Sequence, residues 1–239
     1  SQKLLNLLNK TKISISNDET RHYLNGIYLH KMNLENKSFL YGIATDSHRL
    51  SSSRLEIDQN TDFEKIILPK KTIFQLISLI EQSTNNIKIS NNKSKIKFEI
   101  DSGILISKVI DGRFPDYTKV IPNDNNKTLE IKLNEFKNSI ERVTTVSSDR
   151  KEGLKMMITK DILQLSVNSP NSGEGIENIK VKFNSEDMNI SFNSRYLIDI
   201  ASQIENDSII IKLKDSGSPV LIQDLLDKNS FHVVMPMKI

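Results

Sequence analysis

Two stretches of the chain repeat the same order of structural elements. Residues 65–80, KIILPKKTIFQLISLI, and residues 189–204, NISFNSRYLIDIASQI, each begin with a short apolar strand, continue through polar residues and end with an apolar face at helical spacing. Three short segments of β character follow each stretch, at 86–90, 95–100 and 103–110 in the first case and at 208–213, 219–223 and 231–237 in the second. The sequence therefore predicts an internal duplication of one α+β unit.

Each half contains a further helical pattern before the repeated stretch. Leucines at helical spacing predict an amphipathic helix over 2–10, and an apolar Leu-Phe-Ile-Val face predicts another over 133–146. The helices inside the repeated stretches are predicted at 70–82 and 195–204. Strands are predicted at 12–16, 21–30, 38–45, 51–57 and 65–68 in the first half and at 153–159, 162–168, 177–183 and 188–192 in the second. We therefore expect two tandem α+β domains, 1–122 and 123–239.

The composition restricts the classes of protein to which this chain can belong. Its 239 residues include no cysteine, so disulfides and thiolate metal sites are excluded. No apolar run approaches the roughly 18 residues of a membrane span, and the N-terminus lacks the apolar core of a signal peptide. The net charge of +3 does not by itself indicate tight nucleic-acid binding, which needs many clustered cations. We expect a cytoplasmic protein without a membrane partner.

The stretch YGIATDSHRL at 41–50 runs from apolar residues into a polar tip, and such tips are often functional surfaces. Asp46, Ser47 and His48 are the three residue types of a hydrolytic triad. In an extended chain, however, side chains alternate between two faces, so Ser47 would point away from its two neighbours. The other histidines have no acidic or cysteine neighbours at metal-ligand spacing, so no zinc pattern is present.

Four motifs along the chain are specific in combination. They are RHYLNGIYLH at 21–30, IATDSHRL at 43–50, VIDGRFPDYTKVIP at 109–122 and FHVVMPMKI at 231–239. Together they resemble the β sliding clamp family of bacterial DNA polymerase III over essentially the whole chain. The resemblance implies an α+β DNA-clamp fold of two tandem duplicated domains, each with two helices packed on curved antiparallel β-sheet. It identifies 1–122 with the family's middle domain and 123–239 with its C-terminal domain.

The resemblance also implies a binding site for short linear peptides between the two domains. Apolar residues with a polar rim suit such a site, because an apolar anchor needs a pocket and methionines repack at low cost for several partners. The residues that match the family's peptide site are Leu24, Thr45, His48, Arg49, Leu50, Pro115, Lys119, Val120, Asn193, Tyr196, Val233, Met235, Pro236 and Met237. The residues expected to contact DNA are Lys70, Lys71 and, as a weaker candidate, Arg21.

Two positions depart from the family's pattern. Ser47 stands where the family usually has glycine, which alters the lip or the turn before His48. Gly217 lies in SGSPV, where an apolar contact of the family is lost, and we leave it out of the site.

The family's function implies the partners of the chain. A family clamp is a head-to-tail dimer of three-domain subunits that encircles double-stranded DNA without reading its sequence. It binds the replicative polymerase, the clamp loader and repair proteins through linear peptide motifs, and it is a non-catalytic accessory subunit without a cofactor or metal. Since the dimer joins a first domain to a third domain, a chain with only the second and third is expected to be a monomer that binds DNA weakly.

Two other functions stay open on the sequence alone. One is a hydrolase that uses His48 with a carboxylate from elsewhere in the chain, although no glycine-rich phosphate loop, nucleophile elbow or paired metal motif supports it. The other is a scaffold protein with clamp-like domains that binds peptides but not DNA.

Overall fold

The computed structural model describes residues 1–83, 85–101, 103–147, 153–169 and 173–238. The chain forms two compact units, Ser1–Asp116 and Tyr117–Ile239, which divide upstream of the boundary that the sequence predicts at 122–123. Ile239, which ends the C-terminal motif, lies outside the described residues. Within the described ranges, no helix is both long enough and apolar enough to cross a membrane.

In its described residues, unit 1, Ser1–Asp116, contains two α-helices and two antiparallel sheets. The helices are α1 (Gln2–Lys12) and α2 (Lys70–Glu81), and a 3-10 helix covers Glu19–Leu24. The first sheet has the order β4 (Ile66–Pro69), β1 (Gly26–Leu34), β2 (Lys37–Thr45) and β3 (Arg49–Ile57). The second contains β5 (Lys88–Asn91), β6 (Lys95–Ile100) and β7 (Gly103–Lys108), paired in sequence order.

The core of unit 1 lies between its helices and its sheets. Helix α1 contacts β2, β3 and α2, and it buries Leu7 and Leu8 almost completely. Helix α2 follows Pro69, an extended N-cap residue, and buries the Ile and Leu residues that repeat at helical spacing. At the junction of β1 and β4, a side chain on Gly26 would collide with the carbonyl oxygen of Leu68. Glycine is therefore required for this close approach of two strands.

The described part of unit 2, Tyr117–Ile239, is built on one antiparallel sheet of eight strands. Its helices are α3 (Leu133–Val143) and α4 (Ser194–Ala201). In chain order the strands are β8 (Lys127–Lys132), β9 (Gly153–Thr159), β10 (Ile162–Ser169), β11 (Gly173–Phe183), β12 (Met188–Asn193), β13 (Ser208–Leu213), β14 (Val220–Asp224) and β15 (Ser230–Val234). Across the sheet they follow the order β12-β9-β10-β11-β8-β13-β14-β15. Helix α3 packs against β8, β10, β11 and α4.

The two units repeat one topology. In unit 1 the last of the strands β1–β4 pairs with β1 and leads into α2. In unit 2 the matching strands are β9–β12, and the last of them, β12, pairs with β9 and leads into α4. Three consecutive antiparallel strands follow the second helix in both units. The predicted internal duplication, with two helices in each copy, is therefore confirmed.

Several predicted elements differ from the structure. The strand predicted at 12–16 is wrong, because α1 continues to Lys12 and a turn follows it. The first part of the strand predicted at 21–30 is the 3-10 helix, and the strand itself begins at Gly26. Strand β8, which pairs with both β11 and β13, was not predicted. The strand predicted at 231–237 is observed at Ser230–Val234, so Met235, Pro236 and Met237, which the prediction included, lie beyond its end.

Candidate peptide-binding site

The polar residues of the stretch YGIATDSHRL form a tight turn between β2 and β3. The Asp46 carboxylate accepts hydrogen bonds from the backbone amides of His48 and Arg49, both at 3.0 Å, and pairs with the Arg49 guanidinium at 3.1 Å. The Thr45 hydroxyl donates to the carbonyl of Arg49 at 2.7 Å and accepts from the amide of Ser47 at 3.1 Å. These bonds fix the backbone of the turn and present the exposed His48 ring to solvent.

Ser47 adopts a backbone conformation that favours glycine. Its φ is 77°, in the left-handed region, which explains why the family usually has glycine at this position. The Ser47 hydroxyl accepts a hydrogen bond of 2.6 Å from the Arg21 guanidinium, which also pairs with Asp18 at 2.8 Å. Hydrogen bonds from the Thr20 hydroxyl and, to a smaller extent, from the Arg21 guanidinium lower the pKa of Asp18 to about 2. Asp18 is therefore ionised at neutral pH and holds the arginine that supports the turn.

The turn is not arranged as a hydrolytic triad. The sequence analysis expected an extended chain at 46–48, which is wrong, since these residues form a turn. The observed hydrogen bonds nevertheless exclude a triad within the turn. The Asp46 carboxylate binds backbone amides and Arg49, and the Ser47 hydroxyl is bound by Arg21. A nucleophile would instead need its hydroxyl to donate to a histidine base that a carboxylate orients.

The remaining predicted peptide-site residues of unit 1 are apolar. Leu24 ends the 3-10 helix and Leu50 is the second residue of the return strand β3, and each is only 3% exposed. Pro115 lies near the end of the unit and is exposed. Leu24 and Leu50 can therefore form the floor of an apolar surface, whereas Pro115 offers surface to a ligand directly.

Unit 2 supplies the other predicted residues from three places. Lys119 and Val120 belong to an exposed 3-10 helix, Tyr117–Val120. Asn193 caps α4, with its side-chain oxygen accepting from the Arg195 amide at 3.0 Å, and Tyr196 lies in the first turn of that helix. Val233 is buried in β15, and beyond it come exposed Met235 and half-buried Pro236 and Met237.

The C-terminal segment is held in place although it is not a strand. The backbone amide of Met237 donates to the carbonyl of Ser191 in β12 at 2.7 Å. Met235 is 43% exposed and Val120 is 48% exposed, so these two side chains provide large apolar surfaces in unit 2. Proline at 236 fits a segment that lies beyond the end of β15.

The predicted DNA-binding residues lie in two environments. Lys70 and Lys71 begin α2, Lys71 is exposed, and the Lys70 ammonium donates to the Asn17 side chain at 2.5 Å. Helix α1 also carries lysines, and neither helix has an acidic residue in its first turn. Arg21 is bound to Asp18 and Ser47, so it supports the β2–β3 turn more directly than it offers a free cation.

Unit 1 also contains a group of aromatic residues that was not predicted from the sequence. The rings of Phe114, Tyr28, His30 and Tyr41 stack one on the next, and we call this group the aromatic stack. Tyr28 and His30 are two residues apart on β1, so they share one face of the sheet. That alternation was visible in the sequence, but Phe114 comes from a segment far along the chain.

Comparison with known protein families assigns both units. A family model described as the DNA polymerase III beta subunit, central domain, matches residues 1–116, and one described as its C-terminal domain matches residues 118–238. The chain belongs to the DNA polymerase III beta subunit family. The predicted resemblance is therefore confirmed.

Relatives in this family are named beta sliding clamps. The chain is 34% identical to that of Caulobacter vibrioides over 240 residues, which cover 100% of this chain and 64% of the relative. It is 29% identical to that of Escherichia coli K12, covering 98% of this chain and 63% of the relative. The chain thus spans about 64% of the length of the curated relatives that it matches.

Solved clamp structures share the fold. The Caulobacter crescentus clamp, crystallised with polyethylene glycol in its proposed β-motif tethering region, matches with a TM-score of 0.97 and 34% identity over 100% of this chain and 64% of that one. The Bartonella birtlesii clamp bound to griselimycin matches with a TM-score of 0.95 and 37% identity over 100% of this chain and 64% of that one. The predicted α+β clamp fold is therefore confirmed.

Proposed function

We propose that this chain is part of a sliding clamp, a processivity factor of DNA replication. In this role it holds the replicative polymerase and other DNA-processing proteins on duplex DNA, acts in the cytoplasm and catalyses no reaction itself. The observation that carries the proposal is the presence of both matched family domains, in order, along one chain. The bonding within the β2–β3 turn supports a binding surface over a hydrolytic site.

The partners of the proposed clamp bind through short peptides. Leu24 and Leu50 of unit 1 and Val233 of unit 2 are each 3% exposed and would support the apolar surface that their own unit contributes. The exposed Val120 and Met235 would cover the apolar side chains of a peptide, because large apolar groups and flexible methionines suit such anchors. The polar rim of the site would include His48, Arg49, Lys119, Asn193 and Tyr196, and Thr45, Pro115, Pro236 and Met237 complete the proposed residues.

Peptide binding provides the direct test. We expect a labelled peptide with a glutamine and a Leu-Phe pair to bind the native chain, and Met235→Ala to weaken binding by about 2 kcal/mol, the usual cost of truncating a central anchor. His48→Ala is expected to weaken binding as well. Fluorescence anisotropy measures all three affinities.

A methionine outside the proposed site provides the matched control. Met32 is half-buried on β1, and Met32→Ala is expected to bind the peptide with native affinity. Native affinity in both Met235→Ala and His48→Ala would contradict the site assignment.

The proposed grip on DNA depends on phosphate contacts. We expect the chain to bind linear duplex weakly, and Lys70→Ala combined with Lys71→Ala to reduce the slope of log affinity against log salt by about 2, since each lost phosphate contact removes about 0.9. Filter binding over a range of salt concentrations measures this slope. The matched control replaces Lys93 of the β5–β6 turn and Lys95 at the start of β6, and is expected to keep the native slope. Equal slopes in the two double variants would contradict the assignment of Lys70 and Lys71.

A further inference from the structure

The aromatic stack is continuous across the first sheet of unit 1. The Phe114 and Tyr28 ring centroids are 4.9 Å apart with planes at 8°, and those of Tyr28 and His30 are 4.8 Å apart at 28°. The His30 and Tyr41 centroids are 5.5 Å apart at 15°. Arg54 of β3 ends the series: its guanidinium lies 5.9 Å from the Tyr41 ring centroid and donates to the Tyr41 hydroxyl at 2.9 Å.

The stack fixes the segment that ends unit 1. Upstream in this segment, the Ile110 amide donates to the Ile67 carbonyl at 2.9 Å, and the carbonyl of Asp111 lies 3.1 Å from the His22 ring nitrogen. Phe114 is 8% exposed, while the next residue, Pro115, is exposed. Phe114 is therefore a buried anchor immediately before a residue of the proposed peptide site.

We propose that Tyr28 and His30 are positioning residues for peptide binding, because they hold Phe114 and, through it, Pro115. This inference rests on the proposed function, since it concerns the affinity of the same peptide. Neither Tyr28 nor His30 is among the residues that the family resemblance assigns to the site. The stack orders the segment before the peptide arrives, and preorganisation of a binding surface increases affinity.

Charge on His30 would weaken the stack. The ring is 9% exposed, and burial lowers its pKa, as does the Lys65 ammonium, while a hydrogen bond with the Lys31 backbone acts in the opposite direction. Arg54 adds a second cation beyond Tyr41. Burial raises the pKa of Tyr28, so its hydroxyl stays neutral and offers no compensating negative charge. The charged imidazole is therefore unfavourable in this position, even though aromatic faces attract cations.

The pH dependence follows from the direction of this shift. The folded-state pKa of His30 is below its ordinary value of 6.5. The stack is therefore fully stable above pH 6.5 and weakens as pH falls through the folded-state pKa. A fraction of molecules with a displaced Phe114 lowers the apparent affinity for the peptide in proportion.

The experiment measures anisotropy of the same labelled peptide between about pH 8 and pH 5.5. Native affinity is expected to fall by about threefold or more toward the acid end. His30→Phe keeps an aromatic ring without a titrating group, so its affinity is expected to fall less. The other histidines of the chain are present in both proteins, so the comparison isolates the effect of His30. At the alkaline end, Tyr28→Leu is expected to bind several-fold more weakly and Tyr28→Phe to bind like the native chain.

Thermal unfolding of each variant separates positioning from loss of the fold. All affinities are measured well below the transition, so a merely structural role of Tyr28 would lower the transition temperature and leave peptide affinity unchanged. Native affinity of Tyr28→Leu, or the same acid response in the native chain and His30→Phe, would overturn the inference while the proposed function stands. Absence of peptide binding by the native chain at every pH would overturn the proposed function and this inference with it.

Discussion

Phe136→Ala is expected to destabilise the chain by about 3–5 kcal/mol, the usual cost of removing a buried phenyl ring. Phe136 lies on α3, is completely buried, and belongs to the apolar face that packs on the sheet of unit 2. Its removal deletes apolar burial and leaves a cavity that neighbouring side chains fill only in part. Urea unfolding followed by circular dichroism measures the change in free energy of unfolding.

The same substitution at an exposed position is the control for this result. Phe74 on α2 is 48% exposed, and its ring lies 5.9 Å from the Lys12 ammonium. Phe74→Ala is expected to cost less than about 1 kcal/mol, since half of the ring is already exposed and an exposed cation–π contact contributes only about 0.5–1 kcal/mol. A similar loss at both positions would show that α3 does not carry the core of unit 2.

Asp224→Ala is expected to destabilise the chain by about 3 kcal/mol or more, because it removes the shared acceptor of several hydrogen bonds. The carboxylate is 4% exposed and accepts from the backbone amides of Glu205, Asn206 and Leu226 at 3.1, 3.3 and 3.0 Å. The Asn206 side chain donates a fourth bond at 2.6 Å. The substitution leaves these donors in a partly buried site without their partner. Urea unfolding of the variant and the native chain measures the difference.

The pH dependence of Asp224 provides a second test. Burial acts to raise its pKa, but the hydrogen bonds from Leu226, Glu205 and Asn206 outweigh burial and lower the pKa below 3.8. Its contribution to stability is therefore present above pH 3.8 and is lost as pH falls through the lowered pKa. Asp224→Asn keeps the shape of the side chain without its charge, so we expect the stability gap to the native chain to narrow in acid. A gap that is constant with pH would contradict this role of the carboxylate.

Helices with a clear apolar period could be predicted closely from the sequence. The pattern in KIILPKKTIFQLISLI predicts a helix over 70–82, and α2 covers Lys70–Glu81. The prediction succeeded because the residues at that period, including Ile73, Leu76 and Ile80, are the ones that the core buries. The duplication was predictable for the same reason, since both copies bury their second helix.

Short strands gave weaker signals. Strand β8 was missed because only two residues, Leu129 and Ile131, alternate with polar ones, and its order depends on pairing with β11 and β13. The opposite error occurred at 12–16, where Ile13 and Ile15 alternate as in a strand. In the structure, the Ser14 hydroxyl lies 2.6 Å from that of Ser51, which is buried, and this tertiary contact overrides the local pattern.

The contacts that organise the site join distant parts of the chain. Arg21 binds Ser47, and Phe114 stacks on Tyr28, yet neither pair is close in sequence. Periodicity reports which face of an element is buried, but it carries no information about which distant residue fills the space. The residues of the turn were therefore predictable as a functional surface, whereas the groups that support the turn and Pro115 were not.

The central position of β8 has a consequence for local opening of the fold. Since β8 pairs with a neighbour on both sides, its backbone amides lie at no free sheet edge and exchange with solvent only after one of these pairings opens. In unit 1, β5 and β7 each pair only with β6 within their three-stranded sheet, and many of their side chains are exposed. Fluctuations that expose backbone amides should therefore begin at β5 and β7, while the middle of the unit 2 sheet retains its protons until the whole unit unfolds.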